Sequence, residues 1–304
     1  MQYIFVVNPC AGRGDHAQAI RQAVEALPER ADCAVYETRS AGDATRYVRD
    51  FCQTQPGPLR FIACGGDGTI NEVFNGAAGF KGVSVSCYPC GSGNDFVKCF
   101  GGAEAFSDIG ALLRAPARKL DLLKIGERYC VNICNFGFDT KVAVTMNKVR
   151  GRKLLGGKNA YATGVVNALL TAMKSRCTVT ADGERLNEGL MLLCTVANGQ
   201  YVGGAFRCAP RARCDDGLIE VCLVKPISRL TFVKLLGPYA NGEHLDDPRF
   251  DRILVYRQAR SVEVEAAPGF AYSLDGEIIY SDRFRIEIAP AALDFAAPAF
   301  AAEA

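Results

Sequence analysis

The sequence predicts an N-terminal α/β domain built on a doubly wound parallel sheet, followed by a mostly antiparallel, sandwich-like β domain. Up to about residue 116, apolar strand-like runs alternate with helix-like segments, and three of these runs end in glycine-rich loops. Such alternation is typical of parallel sheets, which bind ligands beyond the carboxyl ends of their strands. Beyond that point β-type runs dominate. We therefore predict domains at residues 1–118 and 119–290.

The elements of the first domain follow in a regular order. Asp15 is placed to cap the first helix, and Thr38 directly follows the second strand. The carboxyl ends of parallel strands meet at one edge of a sheet, so we expect the glycine-rich loops to converge there. The predicted strands are 3–7, 33–37, 60–64 and 83–88, and the predicted helices begin at residues 15, 43 and 69.

Residues 65–76, GGDGTINEVFNG, carry the strongest functional signal. They follow a buried-strand run and open a helix, where outward-pointing backbone N–H groups and the helix dipole favour an anion. Gly65, Gly66 and Gly68 allow a sharp turn and a close approach to a ligand. Asp67 is unusual beside a phosphate unless a metal ion or a donor group lies between them. A plain αβ-turn is the alternative, because glycine-rich turns are common.

Bulk properties exclude several classes of protein. A net charge of +2 over 304 residues argues against a generic nucleic-acid binder, so no nucleic-acid partner is expected. No apolar run approaches the roughly 20 residues that a membrane span needs. The N-terminus lacks the features of a signal peptide, so we expect a cytoplasmic protein. Most of the 14 cysteines lie in apolar runs, which favours reduced, buried thiols.

The second domain has two helix-like stretches among its β-type runs. Residues 142–173 carry the basic cluster Lys148, Arg150, Arg152, Lys153 and Lys158, and residues 230–239 predict a short amphipathic helix. Little in the Ala- and Pro-rich tail, 290–304, fixes a structure. The predicted strands are 129–136, 190–196, 218–224, 253–256, 261–266 and 283–288.

Carboxylates recur at turns: Asp67, Asp95, Asp215-Asp216-Gly217 and Asp275-Gly276-Glu277. Asp and Gly favour tight bends, so turn chemistry alone is an alternative, most of all for Asp215-Asp216. Phosphoryl transfer gives these groups a shared purpose, since it needs backbone donors, a divalent ion and a carboxylate near the acceptor hydroxyl. We expect the glycine loops and the acidic turns to face one crevice.

Several motifs resemble one known family. Asn8-Pro9-Cys10-Ala11-Gly12, 65–72 (GGDGTINE) and 91–96 (GSGNDF) are similar to the three nucleotide-site motifs of the diacylglycerol kinase catalytic-domain family, and most of all to soluble bacterial lipid kinases. The resemblance continues through Asp121, 201–204 (YVGG), 215–217 (DDG) and 274–277 (LDGE). GGDGT alone would not suffice, because NAD kinases share it.

The resemblance implies ATP-dependent phosphorylation of a lipid hydroxyl, with conversion of diacylglycerol to phosphatidic acid as the expected reaction and phospholipid biosynthesis as the setting. Family members more often have threonine at the position of Ser92, and serine keeps the hydroxyl. The implied ATP contacts are Asn8, Pro9, Ala11, Gly12, Thr38, Gly65, Gly66, Asp67, Gly68, Thr69, Asn71, Ser92 and Asn94.

The resemblance also implies a metal and a catalytic set. A structural Mg²⁺ would be held by Asp216 with backbone oxygens of Arg213 and Leu218. Glu277 is favoured as the base that takes the proton from the lipid hydroxyl, with Asp275 and Asp67 tied to a reactive Mg²⁺, although the sequence does not rank these three acids. Asp121 is expected to join that network through water. In the family the C-terminal segment returns to the first domain, which would bring 291–304 there.

A lipid substrate implies peripheral membrane contact. The basic cluster 148–158 is one candidate for docking on anionic head groups, and a plain solvated helix face is the other. A homodimer is compatible with the sequence. Two further functions stay open: phosphorylation of NAD, and nucleotide or lipid binding without catalysis.

Overall fold

The computed structural model describes residues 1–12, 15–55, 57–149 and 167–301. The chain divides into two compact units. Unit 1 comprises Met1–Leu122, Cys214–Gly217 and Ala289–Ala304, and unit 2 comprises Leu123–Arg213 and Leu218–Ile288. The turn Asp215-Asp216-Gly217 is expected in the second domain from the sequence. In the structure this turn belongs to unit 1.

Unit 1 contains a parallel sheet with helices in the connections, which confirms the predicted doubly wound α/β class. Its neighbouring strands run in the order β2-β1-β3-β4, and each pair is parallel. All seven residues of β3 are buried, as expected for a central strand covered on both faces. The elements are β1 (Gln2–Val7), α1 (His16–Glu25), β2 (Cys33–Glu37), α2 (Asp43–Thr54), β3 (Leu59–Gly65), α3 (Asp67–Ala77), β4 (Val83–Pro89) and α4 (Ile109–Arg114).

The helix starts follow from local capping. The Asp15 carboxylate accepts the Gln18 N–H at 3.0 Å, so Asp15 caps α1 as predicted. Helix α3 begins at Asp67, two residues before the predicted start at Thr69. The reason is that the Gly66 carbonyl already accepts the N–H groups of Thr69 and Ile70.

The end of the chain is ordered by pairing that the sequence did not reveal. The last strand, β17 (Arg283–Ala296), extends eight residues beyond the predicted 283–288. In unit 1 its residues Asp294 and Phe295 pair in parallel with Ser84 and Val85 of β4. Phe295 is fully buried among Phe74, Phe96, Phe100 and Phe106, and this aromatic cluster fixes the tail that composition left undefined.

A buried cation joins two elements of unit 1. Arg60 of β3 is only 5% exposed, and its guanidinium donates to the carbonyls of Leu112, Leu113 and Ala115 at 2.9 Å each. These carbonyls lie at the C-terminal end of α4, where a positive charge also complements the helix dipole. Burial lowers the pKa of the Arg60 guanidinium, which nonetheless stays charged. Arg60 therefore fixes α4 to the sheet.

We predict that Arg60→Met lowers the free energy of unfolding by about 3 kcal/mol, because it leaves three buried carbonyls without their donor. Urea unfolding followed by far-ultraviolet circular dichroism measures the loss. Arg49→Met is the matched control, since exposed Arg49 makes one bond to a helix carbonyl. Equal stability of the two variants would contradict the assigned role of Arg60.

Unit 2 is built from antiparallel strands, which confirms the predicted β-rich, sandwich-like class. One sheet has the order β13-β12-β11-β7-β15-β16, and the other brings β10, β8 and β14 to the first half of β17. A core of buried side chains from both sheets includes Phe136, Val196, Val221 and Val264. Strand β5 (Ala117–Ile125) begins in unit 1 and ends in unit 2. The further strands are β6 (Arg128–Cys130), β7 (Ile133–Gly137), β8 (Ser175–Ala181), β9 (Glu184–Arg185), β10 (Leu190–Met191), β11 (Leu193–Ala197), β12 (Ile219–Val224), β13 (Leu254–Ala259), β14 (Ser261–Ala266), β15 (Ala271–Leu274) and β16 (Glu277–Tyr280).

Two predicted strands are each divided in two. The run 129–136 forms β6 and β7, because the N–H groups of Val131 and Asn132 between them bond to the Asp275 carboxylate instead of a ladder. The run 190–196 forms β10 and β11, because the chain changes sheets at Leu192: β10 pairs with β8, and β11 pairs with β7 and β12. Both runs are largely apolar, so the sequence gives no sign of either break.

Two helices pack against one face of the six-stranded sheet. They are α5 (Phe138–Val149) and α6 (Arg229–Asn241), and Ser228 caps the second by accepting the Thr231 N–H. Residues of both helices share a buried cluster that includes Phe138 and Phe232. Of the predicted helix 142–173, the structure describes α5 and residues 167–171. Lys148 is exposed, while Arg150, Arg152, Lys153 and Lys158 lie outside the described residues.

A buried histidine gives unit 2 a dependence on pH. The ring of His244 is 1% exposed and packs against the Tyr239 ring, with 4.6 Å between centroids and 34° between the ring planes. Burial lowers the pKa of this imidazole to about 4 from its ordinary 6.5. The unfolded chain therefore takes up a proton at a higher pH than the folded chain does. The stability contributed by neutral His244 is complete above pH 6.5 and is lost as pH falls towards 4.

We predict that wild type loses about 2 kcal/mol more unfolding free energy than His244→Phe does between pH 7.5 and pH 5. Phenylalanine keeps an aromatic ring against Tyr239 and removes the group that titrates. Urea titrations of both proteins at the two pH values measure the difference. Parallel pH dependence of the two proteins would show that His244 is not the sensitive group.

Candidate functional site

The three glycine-rich loops of unit 1 meet at the carboxyl edge of its parallel sheet. The Cys90 N–H donates to the Gly65 carbonyl at 2.8 Å, which joins the loops after β4 and β3. The Asn8 side chain donates to the Thr69 hydroxyl at 3.2 Å, which joins the loop after β1 to helix α3. Thr38 directly follows β2 at the same edge, where its N–H donates to the Val7 carbonyl.

Glycine is required where these loops touch. A Cβ on Gly91 would lie 2.5 Å from the Cα of Gly66, and one on Gly12 would lie 2.3 Å from the Cys90 carbonyl oxygen. Gly12 also has a φ of +71°, which L side chains rarely adopt. The loops therefore approach each other at backbone distance, and any side chain at these positions would push them apart.

Asp67 connects two of the loops through its carboxylate. One oxygen, Oδ1, accepts the N–H of Asp95 at 2.7 Å and that of Phe96 at 3.3 Å. A Cβ on Gly93 would approach the other oxygen to 2.8 Å, so the glycine leaves room for it. Asp95 in turn pairs with Lys98 at 2.6 Å. The Asp67 carboxylate thus positions the Ser92-bearing loop, a task that the sequence pattern did not indicate.

The start of helix α3 remains accessible from solvent. Its N-cap is Gly66, which has no side chain to bond the first N–H groups, and Gly68 is exposed with open space where a Cβ would lie. Pro9, Gly12 and Ser92 are also exposed. A helix N-terminus bordered by glycines offers backbone donors and a favourable dipole to an anion. This arrangement fits a polyphosphate.

Two further predicted ATP positions take part in local structure. Asn94, at a φ of +47°, accepts the Gly91 N–H and donates to the Gly91 carbonyl, both at 3.0 Å, and so closes its loop. Asn71 on α3 accepts two bonds from the Asn75 side chain. These two asparagines and the exposed residues of the loops all belong to the predicted nucleotide site of unit 1.

Glu72, in the same motif as Asp67, caps a neighbouring helix. Its two carboxylate oxygens accept the N–H groups of Gly42 at 2.8 Å and Ala44 at 3.1 Å, at the start of α2. Thr45 donates back to the Glu72 carbonyl. Gly42 is left-handed, with a φ of +78°, and provides no side-chain cap of its own. The carboxylate of Glu72 replaces that cap and joins α2 to α3.

Asp121 is a third acid whose carboxylate accepts hydrogen bonds from backbone N–H groups. It is 4% exposed, and its two oxygens accept the N–H groups of Gly217 at 2.7 Å and Ala291 at 2.8 Å, while its own N–H donates to Cys214. All of these residues belong to unit 1. Asp121 therefore anchors the turn that carries Asp215 and Asp216, together with the returning tail.

In unit 2, Asp275 organises the connection between β6 and β7. Its Oδ1 accepts the N–H groups of Asn132 and Ile133, and its Oδ2 accepts that of Val131 at 2.7 Å. The Cys130 thiol also points at Oδ1, at 3.3 Å, and burial together with this carboxylate raises the pKa of the thiol far above its usual range. Asp275 has a φ of +46° and is half-buried.

Glu277, two residues later, is in a different environment. It is the first residue of β16, its side chain is 57% exposed, and it forms an ion pair with Arg128. Arg128 begins β6 after the Gly126 turn, and sequence reasoning missed it, because a single arginine in a hairpin carries no motif signal. The Glu277 carboxylate is thus open to solvent and bonds a side chain, whereas the Asp275 carboxylate bonds backbone N–H groups.

The donors named for magnesium are oxygen atoms, which suit a hard cation. Asp216 is exposed, and Arg213 and Leu218 offer backbone oxygens within the same six-residue stretch, 213–218. In the part of the chain that the structure describes, no group of three or more His, Cys, Asp or Glu side chains is arranged to hold a metal ion. Magnesium is usually held by one or two carboxylates together with waters and phosphates, so oxygen donors of this kind fit it.

Family models match both parts of the chain. Residues 2–125 match the diacylglycerol kinase catalytic domain, and residues 132–297 match the YegS C-terminal NAD kinase beta sandwich-like domain. The second match alone spans more than half of the 304 residues. The chain belongs to the YegS-like lipid kinase family. The resemblance inferred from the three nucleotide-site motifs is therefore confirmed.

Individual relatives agree over nearly the full length. A protein of Chromohalobacter salexigens named "Probable lipid kinase YegS-like" is 31% identical, with 96% of each chain covered. A Bacillus subtilis protein named diacylglycerol kinase is 26% identical over 90% of this chain and 88% of its own. The crystal structure of a diacylglycerol kinase from Bacillus anthracis superposes with a TM-score of 0.71 at 22% identity, covering 97% and 96% of the two chains, which shows a shared fold.

Replacing the two acids of the Asp275-Gly276-Glu277 turn separates their tasks. We predict that Asp275→Asn lowers the unfolding free energy by about 3 kcal/mol, because an amide cannot accept all of the N–H groups that the carboxylate holds. Glu277→Gln should change it by less than about 1 kcal/mol, since an exposed ion pair contributes little. Urea unfolding measures the unfolding free energy of both variants. Similar losses in the two variants would show that the two acids do not have different tasks.

Proposed function

We propose that this protein is an ATP- and magnesium-dependent lipid kinase that transfers the γ-phosphate to a lipid hydroxyl, with diacylglycerol as the acceptor and phosphatidic acid as the product. The observation that carries the proposal is the meeting of three glycine-rich loops at the open start of helix α3. Membership of a lipid kinase family supports the same reaction class. The diacylglycerol acceptor is taken from the relative of Bacillus subtilis that is named diacylglycerol kinase.

In unit 1 the triphosphate would lie against the backbone donors at the start of α3, between the loops that hold Gly12 and Ser92. The glycines permit that approach, and Asp67 keeps the Ser92 loop in place through the N–H groups of Asp95 and Phe96. A bound Mg²⁺ would neutralise phosphate charge during transfer. Asp67 is proposed to help hold that ion.

In unit 2, Glu277 is proposed as the base that takes the proton of the lipid hydroxyl. Arg128 forms an ion pair with its carboxylate. Asp275 is proposed as a positioning residue, because the four donors around it fix the turn on which Glu277 is carried. Asp216, with the backbone oxygens of Arg213 and Leu218, is proposed to hold a structural Mg²⁺, and Asp121 to secure that turn.

The substrate places the protein at a bilayer surface. Among the described residues, no helix has the length and apolarity of a membrane span. We propose a cytoplasmic protein that associates peripherally with the membrane.

We predict that the purified protein transfers labelled phosphate from ATP to diacylglycerol in mixed micelles, and that EDTA stops the transfer. Glu277→Gln should lower kcat by at least about a hundredfold, because a general base contributes that much or more. Its KM for ATP should stay unchanged, since ATP is assigned to unit 1. The matched control is Glu287→Gln, an exposed strand carboxylate in an ion pair with Arg285.

Other results would reassign the function. Turnover by Glu277→Gln equal to wild type would remove the base from this position. Transfer to phosphatidylglycerol, ceramide or sphingosine instead of diacylglycerol would change the acceptor but keep the enzyme class. Formation of NADP would identify an NAD kinase, and ATP binding without transfer to any acceptor would identify a regulator.

A further inference from the structure

Exposed apolar side chains gather on one helix of unit 2. Six large apolar residues of the described part of the chain are exposed, and three of them lie at one place. Leu170 and Leu230 are 66% exposed and Val233 is 62% exposed. Single exposed apolar residues are ordinary on protein surfaces, but a cluster of them calls for an explanation.

Helix α6 brings these side chains together. Leu230 and Val233 are three residues apart and so share its outer face, while Phe232, Leu235 and Tyr239 are buried on the inner face. The Arg229 guanidinium donates to the carbonyls of Leu169 at 2.6 Å and Leu170 at 3.2 Å, which joins the start of α6 to the segment 167–171. We call the surface formed by Leu170, Arg229, Leu230, Val233 and Lys234 the α6 face.

The α6 face contains two bases, Arg229 and Lys234, and no acid. The two stretches of sequence that include its residues, 167–181 and 221–242, contain no Asp or Glu. They contain five basic residues, all of them exposed: Lys174, Arg176, Lys225, Arg229 and Lys234. In the whole chain acids and bases are almost balanced, at 33 and 35, so a stretch of this length without a carboxylate differs from the rest.

We propose that the α6 face docks on the surface of an anionic phospholipid bilayer. Apolar side chains flanked by basic residues are the features by which a helix lies in a lipid interface. Each base near an anionic surface contributes roughly 1 kcal/mol, and the apolar side chains gain from insertion among the acyl chains. A partner protein of ordinary mixed charge does not match a surface that has bases and no acid.

The inner side of α6 lines an apolar pocket. This pocket of about 30 Å³ is lined by residues that include Leu192, Phe232 and Phe250. The proposed docking surface is the outer face of α6, which differs from the basic cluster 148–158 expected from the sequence. The inference rests on the proposed function only in that a lipid kinase needs such a surface.

Vesicle flotation tests the docking with the full-length protein. The vesicles contain either phosphatidylcholine alone or phosphatidylcholine with 30% phosphatidylglycerol. We expect wild type to bind only the anionic vesicles, and Leu230→Ser/Val233→Ser to bind them at least tenfold more weakly. Lys174→Gln/Lys234→Gln should weaken binding by roughly fivefold per charge removed. The matched control is Tyr280→Ser, which removes an equally exposed apolar side chain from β16.

Two outcomes overturn the proposal. One is anionic-vesicle binding by Leu230→Ser/Val233→Ser equal to that of wild type and Tyr280→Ser. The other is a dimer in light scattering that this double variant converts to monomer, since the α6 face would then be a contact between two copies of the chain. Circular dichroism of each variant confirms that it is folded before the comparison.

Kinase assays on the same proteins separate this inference from the proposed function. Leu230→Ser/Val233→Ser should lose activity on diacylglycerol in anionic vesicles and keep it on a water-soluble, short-chain diacylglycerol. Vesicle binding through the α6 face without phosphorylation of any lipid would retain the docking surface and remove the lipid kinase. Phosphorylation that is equal for wild type and the double variant on both substrates would retain the kinase and remove the docking surface.

Discussion

The bond between the Asp67 carboxylate and the N–H groups of Asp95 and Phe96 holds together the candidate nucleotide site of unit 1. It joins the loop after β3 to the loop after β4, across 28 residues of chain. Such charge-assisted bonds are stronger than bonds between neutral groups. Close approach of the loops depends on Gly66 and Gly91, and the carboxylate keeps them there.

Other acidic residues of the motifs also accept hydrogen bonds from backbone N–H groups. Glu72 receives the N–H groups that start α2, Asp121 receives those of a turn and of the tail, and Asp275 receives those between β6 and β7. Residues that a motif reading assigns to metal or proton chemistry thus also determine backbone geometry. Glu277 differs from them, because its bond is to an exposed arginine side chain. This contrast is the physical reason for separating the base from the positioning acid.

The sequence predicted what short stretches of chain determine. Alternating strands and helices, the glycine-rich strand ends and the Asp15 cap depend on neighbouring residues, and the structure contains all of them. Of the contacts between distant residues, it predicted the meeting of the glycine-rich loops and, through the family resemblance, the return of the tail to unit 1, but not the bonds that make them. The break between β6 and β7 depends on Asp275, more than 140 residues away, and the ordered tail depends on pairing with β4. Arg60 and Arg128 gave no signal because their partners are backbone carbonyls or a distant acid.

Nucleotide binding by a glycine variant tests the central claim that loop contact in unit 1 creates the nucleotide site. Calorimetric titration with ATP and Mg²⁺ should show binding by wild type and at least tenfold weaker binding by Gly91→Ala, whose Cβ would meet the Gly66 Cα at 2.5 Å. Gly237→Ala is the matched control, since its Cβ would meet nothing within 4 Å. Equal affinity of all three proteins would contradict the account.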